Sequence, residues 1–106
     1  MSKISEIVKS VDPNDEVLKT YTGELDRKYG TLVLSKKRLL FIKEEGFLKK
    51  TYTTMINHSY EEIKKIERNG MRLEFTDTKN NVFVFKTEGA ALVVENSLRE
   101  LIKTPQ

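Results

Sequence analysis

The chain has one histidine, His58, and no cysteine. Nucleophilic catalysis needs a nucleophile beside a base that a third group orients. No thiol and no second histidine is available to complete such a set around His58. His58 therefore reads as a solvent-facing residue of the connector Asn57-His58-Ser59. The carboxylate pairs Glu44-Glu45 and Glu61-Glu62 are neighbours in sequence. In a strand, neighbours point to opposite faces, so these pairs make poor acid/base dyads and poor metal clusters. Gly23, Gly30, Gly46, Gly70 and Gly89 are isolated, and none belongs to a phosphate-cradling loop. The residue inventory thus argues against an enzyme and calls for no cofactor and no metal. The remaining chemistry is electrostatic. Short groups of basic side chains include Arg27-Lys28, Lys36-Lys37-Arg38 and Lys49-Lys50, and Lys79 stands apart. Converging ammonium groups can hold an anionic headgroup, each worth roughly 1 kcal/mol near an anionic surface. Asp26, Glu44, Glu45 and Asp77 lie close by in sequence and cancel much of that field. The run Lys36-Lys37-Arg38 is the densest, but three charges in a hairpin turn ordinarily serve solvation.

The wider composition narrows the class further. A chain of 106 residues reads as one domain, long enough to bury a core without disulfides or metals. Its 19 basic and 16 acidic residues leave a formal charge of only +3. Lysine and glutamate interleave, and no aromatic stacking platform accompanies the arginines, so nucleic acid is not an expected partner. No apolar run approaches the roughly 20 residues that a membrane-spanning helix needs. The N-terminal Met1-Ser2-Lys3-Ile4-Ser5-Glu6 lacks the apolar segment of a signal peptide. A cytoplasmic location follows as an expectation, with peripheral membrane attachment if the basic groups are used.

The elements that must position these groups are mostly strands. Gly30-Thr-Leu-Val-Leu-Ser-Lys-Lys-Arg-Leu-Leu-Phe41 holds two apolar runs around the polar turn Ser35–Lys37, a hairpin signature. Before it, Glu16–Asp26 reads as a strand, and Arg27–Gly30 as a loop. After the turn Glu44-Glu45-Gly46, the β-branched and aromatic stretch Phe47–Ile56 reads as the next strand. Tyr60–Arg68 is ambiguous, but Asn69-Gly70 is a hairpin turn, which favours a strand around Ile63–Arg68. Met71, Leu73 and Phe75 alternate with polar residues in the clearest half-buried strand. Asp77–Asn81 is a polar turn, and Val82–Lys86 is a last strand. Two helices flank the strands. Ile4, Ile7, Val8 and Val11 make an apolar stripe over Ser2–Val11, with Ser2 a plausible N-cap. Ala91, Val94, Leu98, Leu101 and Ile102 make another over Thr87–Lys103, with Thr87 placed to cap it.

About seven short strands before one amphipathic helix suggest a barrel or open sandwich capped by that helix. The quoted residues resemble the pleckstrin-homology-like superfamily, in its GRAM and bacterial PH branch. Gly23-Glu24-Leu25 and the Gly30–Phe41 hairpin carry the resemblance, with Tyr60-Glu-Glu-Ile63-Lys-Lys-Ile66-Glu67, Leu73-Glu-Phe75, Phe83-Val-Phe85 and the C-terminal helix. It covers roughly Val17 to Ile102. Two departures stand out: the chain has no tryptophan, where eukaryotic PH domains carry one in the last helix, and the N-terminal helix is extra.

The resemblance implies a mainly β fold, a PH-like barrel of about seven antiparallel strands. Its parts would be a barrel at 15–86 and a capping helix at 87–103, to which the apolar stripe adds the N-terminal helix at 2–11. It also implies a non-enzymatic scaffold that binds anionic lipids, binds peptides or self-assembles. In a PH-like meander the loops after strands one, three and six share one end, which would gather Arg27, Lys28, Lys49, Lys50 and Lys79 into an anionic-headgroup site. The other candidate is an interaction surface. Val82-Phe83-Val84-Phe85 and Leu39-Leu40-Phe41-Ile42 are apolar on both faces, and one face of each needs cover. The N-terminal helix can cover one of them. A face left bare, with Val82 and Val84, would suit a protein partner or a homo-oligomer.

Overall fold

The computed structural model describes residues 3–103. Helix α1 spans Lys3–Val11; the Ser2 cap expected for it lies outside the described residues. Seven strands follow: β1 Val17–Leu25, β2 Lys28–Ser35, β3 Arg38–Glu45, β4 Thr51–Ser59, β5 Ile63–Asn69, β6 Arg72–Asp77 and β7 Val82–Thr87. A 3-10 turn at Tyr60–Glu62 joins β4 to β5, and helix α2 spans Ala91–Lys103. The strands form one antiparallel seven-stranded sheet in the order β4-β3-β2-β1-β7-β6-β5.

The sheet rolls over on itself. Phe41 on β3 and Phe85 on β7 are three strand places apart, which in a flat sheet is about 14 Å. Their ring centroids lie 6.1 Å apart, edge to face. Strand β1 is the hinge of this roll: it pairs with β2 along most of its length but with β7 only at Gly23–Leu25. Gly23 permits the junction, since a Cβ there would sit 2.3 Å from the Lys86 carbonyl oxygen and 2.8 Å from the Phe85 ring.

Period-two alternation sends one face of each central strand inward. Leu32 and Leu34 of β2, and Leu39 and Phe41 of β3, join Leu25, Leu73, Phe75 and Phe85 in the main core, which Val94 and Leu98 of α2 close. The opposite face of β2 and β3 carries Val33, Leu40 and Ile42. Helix α1 covers it through Val8, with Ile4 and Ile7 alongside, so Leu39–Ile42 is apolar on both faces because both are buried. Asp15 locks the chain entering β1 onto the β2–β3 turn. Its buried carboxylate accepts Ser35 Oγ at 2.6 Å, the Lys37 N–H at 3.0 Å and the Glu16 N–H at 2.8 Å.

Four local expectations are corrected. The loop expected over Arg27–Gly30 is a two-residue turn, Asp26-Arg27, with φ of 50° and 74° at its two residues, and Lys28 already belongs to β2. Such positive angles fit the tight hairpin turn that matches strand twist. Strand β4 starts at Thr51, leaving Phe47–Lys50 in the loop, because its register is set further along, where Ile56 pairs with Phe41. The expected connector Asn57–Ser59 is the end of β4, with His58 paired to Leu39. Thr87 does not cap α2: it is still paired to Gly23 in β7, its Oγ accepts the Gly89 N–H at 3.1 Å, and the helix begins at Ala91.

Candidate functional site

The β1–β2 turn and the β3–β4 loop lie side by side. Gly30 pairs with Lys43, so the strand residues just before Gly30 lie beside those just after Lys43. Arg27, Lys28, Tyr29, Lys43, Glu44 and Glu45 surround an open depression of about 280 Å³. Two of the cations at this end are neutralised in place. Lys43 Nζ sits 2.7 Å from Glu45 Oε1, and Lys50 Nζ 2.5 Å from Glu44 Oε1. The hydrogen bond from Lys43 holds the Glu45 carboxyl below its ordinary range, and the bond to Glu44 raises the Lys50 ammonium. The negative field of Glu88 raises the Tyr29 phenol. Among the described residues, Arg27, Lys28 and Lys49 make no ion pair. Glu24 and Asp26 near Arg27, and Glu88 near Tyr29, offset part of their charge. Arg27 also borders a second depression of about 330 Å³ with Glu24, Asp26, Arg72, Val84 and Lys86.

Lys79 is placed elsewhere. Its N–H donates to Asp77 Oδ1, and the neighbouring Thr78 N–H donates to the Glu62 carbonyl. Asp77 Oδ2 is 3.3 Å from Nε2 of His58, which pairs with Leu39 near the start of β3. Glu45 ends that strand, six residues or roughly 20 Å away along β3. The β6–β7 turn thus follows the 3-10 turn because its backbone is bonded there. The β1–β2 and β3–β4 loops gather Arg27, Lys28, Lys49 and Lys50 without it.

Two further positions differ from expectation. His58 is not in a solvent-facing loop: its side chain is 21% exposed, with Glu62 3.4 Å from Nδ1 and Asp77 on its other nitrogen. Its ring lies 5.9 Å from that of Phe83, so it fastens β4 to the start of β7. Within Lys36-Lys37-Arg38, Lys37 makes an ion pair with Asp12, Arg38 donates a hydrogen bond to Asn57, and the Lys36 N–H donates to the Glu16 carbonyl. On the outer face of β7, Val82 is exposed and Val84 half-buried. Their cross-strand partners on β6 are Thr76 and Glu74, and Lys86 follows on the same face. The valines are therefore interrupted by polar neighbours.

Sequence reasoning missed the residues at the loop tip. Phe47 and Leu48 are each 95% exposed. Reading them as strand gave them a half-buried role. The signal that separates them is Gly46, at φ 108°, which ends the hairpin arm and starts a loop. Lys43 was likewise passed over, because only its pairing opposite Gly30 brings it to this end.

Comparison with known proteins fits this architecture. Residues 11–104 match the family described as Bacterial PH domain. The chain belongs to that family. Helix α1 lies almost wholly before the matched segment, so in this bacterial PH domain the cover over Leu40 and Ile42 comes from outside it. Among solved structures, the crystal structure of the C-terminal domain of an unknown protein from Leishmania infantum is similar, with a TM-score of 0.68. That match covers 95% of this chain and 100% of the other at 16% sequence identity, a likeness of fold. A search of curated proteins found no match. Among the described residues, no helix is long and apolar enough to cross a membrane, and no cluster of His, Asp and Glu is suited to a metal ion.

Proposed function

We propose that this bacterial PH domain is a non-enzymatic module that docks onto anionic lipid headgroups through Arg27, Lys28, Lys49 and Lys50, with Lys43 at the floor of the site. One observation carries the reading. Arg27, Lys28 and Lys49 sit on adjacent loops at one end of the fold and make no ion pair, whereas in the denser Lys36–Arg38 run Lys37 is paired to Asp12 and Arg38 is hydrogen-bonded to Asn57. Unpaired cations on adjacent loops are what an anionic surface attracts. The fold family alone does not choose this function, since one scaffold hosts many. The test is sedimentation with vesicles of phosphatidylcholine with and without phosphatidylserine. Binding is expected only with phosphatidylserine, weakening as salt rises. Lys28→Glu combined with Lys49→Glu should abolish it, and unchanged binding would refute the site.

The alternative is a protein-interaction or self-assembly role through the outer face of β7, where Val82 is 54% exposed. A salt-insensitive oligomer that ignores vesicles would favour it.

A further inference from the structure

We propose that Phe47 and Leu48 form a wedge that enters the acyl boundary of a lipid bilayer while the adjacent lysines hold its headgroups. The inference rests on the docking function proposed above and names its partner as a bilayer rather than a soluble anion. Both side chains are 95% exposed, while no other large apolar residue among those described exceeds 54%. Scattered half-exposed apolar residues are ordinary on a protein surface. Two adjacent and almost fully exposed ones at a loop tip are not.

The tip is held out by the backbone. Gly46 has φ 108°, and a Cβ there would lie 2.1 Å from the Lys49 carbonyl oxygen. The chain therefore doubles back on itself between Gly46 and Lys49, and the two residues between them project outward. Thr51 Oγ donates to the Glu45 carbonyl at 3.4 Å across the neck of the loop. Behind the apolar tip comes Lys49 without an ion pair, then Lys50 paired to Glu44, with Arg27 and Lys28 on the adjoining turn. Apolar residues foremost and cations immediately behind them reproduce the order of a bilayer interface. Binding there grows with buried apolar area and with attraction to anionic lipid.

Size argues for lipid over protein. An aromatic side chain buries about 150–250 Å², and a leucine adds less, so the tip offers well under the roughly 800 Å² per partner of a stable protein interface. A bilayer sets no such minimum.

The chain has no tryptophan, so Phe47→Trp introduces a single emission reporter at the tip. The probe is vesicles of phosphatidylcholine and phosphatidylserine, with and without lipids brominated along the acyl chain, and sedimentation is measured on the same samples. The expected result is a blue shift on vesicle addition and quenching by the brominated lipids. Leu48→Asp, at a position with no packing to lose, should weaken vesicle binding at least about tenfold, the ratio that corresponds to ~1.4 kcal/mol, with an unchanged melting temperature. A protein that sediments with vesicles while its emission stays unshifted overturns the wedge and leaves headgroup docking intact. A protein that fails to sediment even at low salt overturns both. Emission already blue-shifted without lipid, together with a doubled mass by light scattering, assigns the tip to a second copy of the chain and overturns the wedge.

Discussion

Removing one carboxylate from the docking end should strengthen docking. Glu44 holds Lys50 at 2.5 Å, so from a distance the pair presents no net charge to a membrane. Glu44→Gln leaves Lys50 positive and unmasked. A basic residue near an anionic leaflet contributes about 1 kcal/mol, and each 1.4 kcal/mol is tenfold, so one recovered charge tightens binding about fivefold. Lys49 has no such partner, and Lys49→Glu both removes a positive charge and adds a negative one. That doubles the change and weakens binding by about thirtyfold. Surface ion pairs contribute little to folding, so both variants should stay folded. The assay is vesicle sedimentation across phosphatidylserine content and salt, with thermal unfolding as the control. The gain from Glu44→Gln should be largest at low salt and shrink as the Debye length falls below about 10 Å, near 0.1 M salt. Opposite signs for the two variants are the signature. Equal affinity of Glu44→Gln and wild type at low salt, with matched melting temperatures, would refute the reasoning: charge at this end would not govern docking.

Three further outcomes concern the scaffold. Asp15→Ala leaves the Glu16 and Lys37 N–H groups and the Ser35 hydroxyl without their acceptor in a buried setting. It should cost about 3 kcal/mol, read by urea unfolding at an unchanged m-value. Leu40→Ala opens a cavity between β3 and α1, where Leu40 is wholly buried against Val8. It should cost about 3 kcal/mol and speed amide exchange in α1 before that in β2. The pH dependence follows from Asp77, held below the ordinary carboxylate range by the Asn81 side chain and by backbone N–H groups of Asn81 and Lys79, with His58 adding to it. A depressed native value contributes stability that is complete above the unfolded value, about 3.9, and is lost as pH falls through the native one. Melting temperatures of wild type should fall across that acid range, and Asp77→Asn should flatten the slope.

Much of the fold was legible because its strands alternate and its turns are marked. Leu73 and Phe75 alternate with Glu74 and Thr76, and this pattern becomes β6 with Leu73 and Phe75 buried. Asn69-Gly70 marks the β5–β6 hairpin, with Gly70 at φ 67°. The two-sided apolarity of Leu39–Ile42 foretold a covering element, and α1 supplies it. Strand ends were less legible. Where β4 begins depends on its pairing with β3, including a register shift between Phe41 and Ile42, and local composition does not encode that pairing. The error mattered, because it hid Phe47 and Leu48 inside a strand. Lys79 was misplaced for a related reason. Strand order alone puts its turn beside the β1–β2 turn, whereas the roll of the sheet and the bond from Thr78 to Glu62 carry it to the other end of β3.

Density of charge in a sequence is a poor guide to where charge is available. The Lys36-Lys37-Arg38 run is the most basic stretch, yet the fold brings Asp12, Asp15 and Asn57 to it. Those partners use its side chains and backbone to tie α1, β1 and β4 to one turn. The sparser group at Arg27, Lys28 and Lys49 makes no ion pair: of the carboxylates near it, Glu44 and Glu45 are engaged by Lys50 and Lys43, while Glu24 and Asp26 border the same depression as Arg27 without a salt bridge to it. Lys43 and Lys50 thereby offset much of the negative field of Glu44 and Glu45, although Lys28 still acts on Glu45. The same loop also ends in Phe47 and Leu48, which have no role in the core. Exposed apolar side chains gain nothing in water, and unpaired cations forgo local partners. Under the docking proposed above, both features become favourable together at a surface that is anionic outside and apolar within.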